Sequence, residues 1–140
     1  MATNQVKATA WRVRRESSGE RGAIAAELVI ATPLLLLALM AIVQFALWSH
    51  ATHVAQAAAA EALAAARVQD GTAAAGHAAA QQLLDDLARG PLRSSQIAVE
   101  RTATSASASV RGEVAAVLPG VHLRVHAEAA GEVERFVPDS

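Results

Sequence analysis

The 140-residue sequence contains no cysteine, which excludes disulfide bonds, thiolate nucleophiles and cysteine-ligated metal sites and leaves the redox compartment open. Aromatic residues make up only 3% of the chain, while much of the hydrophobic fraction of 53% is alanine. A chain rich in small side chains suits close packing of helices better than a bulky globular core. Its length allows one small domain and a membrane segment but no elaborate active-site cleft.

Charge and motif content give no sign of an enzyme or of a nucleic-acid-binding protein. The net charge is −1, and the 11 arginines are scattered without aromatic residues between them, so we expect no nucleic-acid partner. The sequence has no glycine-rich phosphate loop, nucleophile elbow or plausible catalytic triad. We therefore expect no catalysis, no cofactor and no small-molecule substrate.

Two pairs of histidines are candidate metal ligands. His50 and His53 lie one helical turn apart, but no third ligand is near them in the sequence. His122 and His126 share one face of a predicted strand and stand about 13 Å apart at roughly 3.3 Å per residue, too far to chelate one ion. We therefore predict no metal site.

A long apolar run dominates the N-terminal third of the chain. From Leu28 through Trp48, 21 residues carry no formal charge. As a helix they would span about 31 Å, the thickness of a bilayer's hydrocarbon core. Glu27 lies at the front edge of this run, where an ionised carboxylate costs on the order of a few kcal/mol unless it meets a partner or reaches the headgroups.

The segment before this run is basic. Its charged residues are Lys7, Arg12, Arg14, Arg15 and Arg21 against Glu16 and Glu20. This excess predicts a single-pass protein of the cytoplasmic (inner) membrane, with the N-terminus in the cytoplasm and the C-terminal domain outside. A secretory signal peptide is the alternative, with Ala55-Gln56-Ala57 as a possible cleavage site, but its apolar region is normally about 7–15 residues long.

The basic leader is followed by Gly22, four uncharged residues, Glu27 and the apolar helix. This order resembles the type III signal of type IV prepilins and pseudopilins. The resemblance implies that a membrane aspartyl peptidase, the prepilin peptidase, cuts between Gly22 and Ala23. It also implies that Glu27, then the fifth residue of the mature chain, pairs with the freed α-amino group of a neighbouring subunit.

The stretch ATPLLLLALMAIVQFALW narrows the resemblance to the TadE-like pseudopilins, minor components of tight-adherence (Tad, Flp-type) pilus systems. It covers about Glu20 to Arg67. Leu28 stands where many members have an aromatic residue, and the major Flp pilins are shorter than this chain. The resemblance thus implies a minor, structural subunit of a pilus, with the peptidase, other pilin subunits and the lipid bilayer as partners. It leaves open whether the pilus serves adhesion, DNA uptake or secretion.

A second interpretation stays open at this point. The chain could be an uncleaved single-pass membrane protein whose extracytoplasmic domain binds or regulates a secretion-machine partner. The two interpretations differ in whether residues 1–22 are lost from the protein in its native host.

The remaining sequence predicts an α+β fold with a long N-terminal transmembrane helix, a second helix and a small three-stranded antiparallel sheet. The resemblance implies a pilin-like plan, in which such a sheet lies against the exposed half of the long helix. Alanine-rich residues 49–69 continue the first helix, and Asp70-Gly71 ends it, with glycine in the left-handed cap conformation. Thr72 caps a second helix over residues 73–89. Its predicted apolar stripe is Leu83, Leu84 and Leu87, with Arg89 in the last turn.

Alternation of apolar and polar residues predicts the three strands. They cover residues 96–102, residues 105–114 and, after a Pro119-Gly120 turn, the stretch 121–136. In the second strand, Ala106, Ala108, Val110, Gly112 and Val114 share the inner face. A low-complexity linker is the alternative for the serine-alanine stretch. The predicted segments are a leader over 1–22, a transmembrane helix over 23–48, its continuation over 49–69 and an extracytoplasmic domain over 70–140.

Overall fold

A computed structural model describes residues 3–87 and 90–135 of the chain, with side chains from residue 19 onward. The elements in order are α1 (Thr3–Arg67), α2 (Ala73–Leu87), β1 (Leu92–Arg101), β2 (Ser105–Val114) and β3 (Arg124–Glu132). The strands form one antiparallel sheet in the order β1-β2-β3. The predicted α+β fold is therefore confirmed.

The chain forms two compact units, Met1–Met40 and Ala41–Ser140. The first contains the N-terminal part of α1, which continues without interruption through Pro33. The second contains the remainder of α1, α2 and the sheet. Within residues 19–40 of the first unit no side chain is buried, and the described hydrophobic core belongs to the second unit.

The core of the second unit lies between α1, α2 and one face of the sheet. On α1 the buried side chains are almost all alanine: Ala51, Ala55, Ala58, Ala59, Ala62 and Ala66, together with Val54. The sheet contributes Leu92, Ala106, Ala108, Val110, Val114, Val125 and Ala127. Small side chains on both sides let the helix and the sheet approach closely, as the composition predicts.

The start of α2 is as predicted, because the Ala75 amide donates to Thr72 Oγ1 at 3.0 Å. The predicted apolar stripe is only partly right. Gly76, Ala80 and Leu84 are buried and Leu83 is half-buried, whereas Leu87 is 52% exposed. The buried residues of α2 are spaced four apart and begin at Gly76. Because the prediction considered only leucines, it did not include Gly76 or Ala80. The predicted end at Arg89 lies outside the described residues.

The close approach of α2 to α1 requires Gly76. A Cβ at this position would lie 2.6 Å from the Ala62 carbonyl oxygen and 3.0 Å from Val99 Cγ1. Side chains larger than hydrogen would therefore push α2 away from the backbone of α1 and from β1.

The end of α1 differs in detail from the prediction. The helix ends at Arg67, and Asp70 rather than Gly71 adopts a left-handed conformation, with φ of 63°. Aspartate tolerates this region better than most residues. Gly71 is needed for a different reason, because a Cβ there would lie 2.6 Å from the Ala65 carbonyl oxygen.

The free carbonyl groups at this helix end are satisfied by the sheet and its C-terminal extension. The Arg101 guanidinium donates to the Ala66 and Val68 carbonyl oxygens, and the Glu134 amide donates to the Arg67 carbonyl oxygen at 2.9 Å. These contacts replace the intrahelical partners that the last turn of a helix lacks.

The middle strand has the predicted bounds and the predicted inner face. Ala106, Ala108, Val110 and Val114 are buried, and Gly112 is half-buried under Leu92. The alternation therefore marks a strand and not a linker.

The two outer strands have different bounds from those predicted. β1 begins four residues early at Leu92, and a bulge between Arg93 and Gln96, with Ser94 at φ 51°, interrupts its alternation. β3 begins three residues late at Arg124 and ends at Glu132, whereas the predicted stretch ran to residue 136, which lies outside the described residues. The predicted turn before it is present, because the Val121 amide donates to the Leu118 carbonyl oxygen and Gly120 has φ of 79°, as in a type II turn.

Candidate functional site

Gly22 and Ala23 lie within α1 and are exposed to solvent. A Cβ built on Gly22 would meet nothing within 4 Å. Glycine inside a helix costs about 1 kcal/mol relative to alanine. The fold thus gains nothing from glycine at this position, so packing does not account for its presence.

Glu27 lies one helical turn after Ala23, on the same side of α1, and is exposed. Within the part of the chain whose side chains are described, no basic group pairs with its carboxylate. Its nearest neighbours along α1 are apolar. Among the described side chains, the carboxylate of Glu27 therefore lies in apolar surroundings without a cationic partner.

The helix between Glu27 and Met40 has an exposed apolar surface. Its large exposed side chains are Leu28, Val29, Ile30, Leu34, Leu35, Leu36, Leu37 and Leu39. In the described residues, one helical stretch, 19–67, is long and apolar enough to cross a membrane, and its most apolar window has a mean hydropathy of 2.5 with 6% of its residues buried. A soluble core helix would bury this surface, so the exposure favours lipid or another subunit as its environment.

Gln44, which lies within the apolar run, is a buried polar residue that the sequence pattern did not identify as important. Its side chain is 3% exposed. Oε1 accepts from the Val117 amide at 2.7 Å and the Leu118 amide at 3.4 Å, and Nε2 donates to the Ala115 carbonyl oxygen at 3.3 Å. The signal that could have identified it is an amide inside an apolar helix, because a buried amide needs hydrogen-bond partners.

Next to Gln44, α1 presents aromatic and then polar side chains. The rings of Phe45 and Trp48 lie 5.9 Å apart between centroids. Trp48 is half-buried against the core, and Phe45 is exposed. His50 and His53 follow and are exposed. This succession of apolar, aromatic and polar residues is typical of a helix that leaves a membrane.

The outer face of the sheet carries a shallow depression of about 440 Å³ lined mainly by polar residues. Arg111 Nε donates to His126 Nδ1 at 3.3 Å, and His126 Nε2 lies 3.8 Å from Glu128. Arg124 lies 3.8 Å from Glu113. Opposite charges thus alternate across this face, an arrangement that suits a solvated surface.

The histidines do not converge on a metal site. His126 takes part in the contacts of the sheet's outer face, and His122 lies before β3. Over the described residues, no three histidine, aspartate or glutamate side chains are grouped so that they could hold a metal ion.

Comparison with known proteins gives one family match. The model of the TadE-like proteins matches residues 22–64, just under a third of the chain. No curated protein matches the chain, and no solved structure matches it. The matched segment begins at Gly22 and contains Glu27 and Gln44. Residues 22–64 are therefore a TadE-like segment, which confirms the family resemblance and relates this chain to Tad pilus proteins.

Proposed function

We propose that this protein is a minor pseudopilin of a Tad-type pilus or secretion system, processed by a prepilin peptidase after Gly22 and assembled through its N-terminal helix. The observation that carries the proposal is that the TadE-like match begins at Gly22, the first residue of the predicted processing site. The rest of the chain supplies the expected companions of such a site, a basic leader before it and an exposed apolar helix after it.

The surroundings of Gly22 support a role in processing. Its backbone is exposed, and no packing contact requires a glycine there. A peptidase must pull the cleaved bond out of helical geometry, and glycine lowers the free energy that favours the helix at that point. Access and easy local unwinding are what a membrane peptidase needs from its substrate.

Glu27 is proposed to pair subunits. Cleavage after Gly22 would place a positive α-amino group on Ala23, and the carboxylate of Glu27 is the first acidic group after it. In a bundle of apolar helices, such a charge is stabilised only when it meets an opposite charge. Pairing between the amine of one subunit and Glu27 of the next would therefore set the stagger of the assembled helices.

The proposed arrangement in the membrane follows from charge and hydropathy. The basic leader keeps residues 1–22 in the cytoplasm, residues 23–48 cross the inner membrane, and residues 70–140 form the extracytoplasmic domain. Other pilin subunits and the lipid bilayer are the partners of the exposed apolar side chains.

Intact mass spectrometry of the membrane-extracted protein from its native host tests processing. The expected mass lacks residues 1–22. Gly22→Val should keep the leader, because a β-branched side chain hinders access and extra side-chain volume blocks the peptidase. Gly19→Val is the matched control, since Gly19 also lies in α1 with nothing within 4 Å of a built Cβ. This control should still be processed.

A wild-type protein that retains its leader would overturn the proposal and favour the uncleaved single-pass membrane protein. Equal processing of both valine variants would contradict the assignment of Gly22 as the cleavage residue.

A further inference from the structure

The loop between β2 and β3, residues 115–123, is uncharged throughout except for His122. Val117 is 38% exposed, and Ala116 and Pro119 are exposed as well. The nearest charged residues are Glu113 and Arg124, an ion pair at the base of the loop. The loop therefore presents an apolar surface bordered by charges.

This loop is held rigidly in place. Besides the three hydrogen bonds between the Gln44 side chain and the loop backbone, the Ala115 amide donates to the Pro91 carbonyl oxygen at 2.8 Å. The turn at Pro119 and Gly120 closes its tip. A fixed apolar loop exposes its surface without the entropic loss of becoming ordered on binding.

The position of Gln44 sets the level of the loop along α1. Gln44 lies four residues before Trp48, which corresponds to about 6 Å along the helix axis. Tryptophan at the end of an apolar run marks the membrane interface. The backbone of the loop is therefore at or slightly inside the level where α1 leaves the membrane.

At this same level, the remaining sides of α1 are apolar and exposed, at Ile42, Val43 and Phe45. The loop thus continues the apolar surface of the helix. It covers Gln44, the polar side chain that would otherwise face hydrocarbon, at a cost of several kcal/mol if left unpaired.

We propose that residues 115–123 form a second membrane-contacting element, which lies among the phospholipid headgroups beside the outer end of the apolar run. The inference rests on the membrane anchoring in the proposed function but not on processing at Gly22 or on assembly. Shallow burial of about 5–10 Å is typical of interfacial apolar segments. The consequence is that the domain is held against the membrane at two points, so its orientation is restricted.

Fluorescence quenching in vesicles tests the proposal. The chain has no cysteine, so a single introduced cysteine can carry an environment-sensitive dye. The full-length variant Val117→Cys is labelled and reconstituted into phosphatidylcholine vesicles that contain lipids with a nitroxide near the headgroup. The side chain of Val117 makes no hydrogen bond, so the contact of its amide with Gln44 stays in place.

Two matched positions calibrate the measurement. Phe45→Cys reports on α1 within the apolar run. Ala103→Cys reports on the opposite end of the sheet, because Arg101 nearby binds the carbonyl of Ala66, about 33 Å along α1 from Gln44. We expect the nitroxide lipids to quench the dyes at positions 117 and 45 and to leave the dye at position 103 bright.

A dye at position 117 that stays as bright as the one at position 103, while position 45 is quenched, would overturn the loop contact and leave the membrane helix intact. A shift in the emission of the dye at position 117 that appears only at high protein-to-lipid ratio, without nitroxide quenching, would indicate contacts between copies of the chain. That result would overturn the lipid assignment. An unquenched dye at position 45 would reject membrane anchoring and the loop proposal with it. None of these outcomes depends on whether the leader is removed, which intact mass measures separately.

Discussion

Gln44→Leu should detach the β2–β3 loop from α1 while leaving the helix apolar. The substitution keeps a similar side-chain volume but removes the acceptor of the Val117 amide and the donor to the Ala115 carbonyl. Each backbone group left unpaired in a buried setting costs about 1–3 kcal/mol. Three backbone groups lose this partner, although the Leu118 contact is long at 3.4 Å. With partial relief from water, we expect a loss of about 2–4 kcal/mol in the free energy of unfolding of the second unit.

Denaturant unfolding in detergent, followed by circular dichroism, measures this change. Hydrogen exchange of the Val117 and Leu118 amides locates it, since both should exchange faster in the variant. Gln56→Leu is the matched control, because Gln56 lies on the same helix and is exposed. Its effect should stay within about 0.5 kcal/mol.

An unchanged unfolding free energy, with protection of the Val117 and Leu118 amides retained, would refute the role assigned to Gln44. Leucine raises the hydropathy of the apolar run, so the variant should insert into a membrane at least as well as the wild type. A lower free energy of unfolding therefore cannot be the result of failed insertion. The variant therefore separates loop docking from anchoring.

Three further predictions concern assembly, packing and orientation. Glu27→Leu should still be cleaved after Gly22 but should lose co-purification with partner pilins and surface pili, since an unpaired charge at each junction costs about 3–5 kcal/mol; normal assembly would return Glu27 to a residue that snorkels to the headgroups. Gly76→Ala should lower the unfolding free energy by about 1–2 kcal/mol, because overpacking against the Ala62 carbonyl outweighs the gain in helix propensity. Chemical denaturation measures this change, and a variant more stable than the wild type would contradict the prediction. Protease added to spheroplasts should digest the domain after residue 70 and spare the first twenty residues of an uncleaved form, and the reverse pattern would reject the orientation.

The parts of the fold that could be predicted are those where neighbouring residues carry the information. The alternation of Ser105–Val114 repeats with the period of a strand, and the observed strand has those bounds. The hydrogen bond to Thr72 and the one that closes the Pro119-Gly120 turn each join residues three positions apart, so these features could also be predicted.

The parts that could not be predicted depend on distant contacts. Gln44 meets partners 71–74 residues away, and no periodicity links the two segments. The burial of Gly76 reflects the passage of α2 over Ala62, which local hydrophobicity does not encode. The early start of β1 could not be predicted from alternation, because residues on either side of its bulge do not alternate in phase.

The alanine-lined face of α1 makes the domain unequally tolerant of smaller and larger side chains. Removing a methyl group from Ala55 or Ala62 deletes little apolar area, and the main loss is the greater backbone freedom of glycine, about 1 kcal/mol. Adding even two carbon atoms at either position would overpack the contact between helix and sheet, since among the described residues the fully buried side chains are no larger than that of Val110. A leucine-rich core loses most stability when a side chain is shortened, whereas this alanine-lined contact loses most stability when a side chain is enlarged.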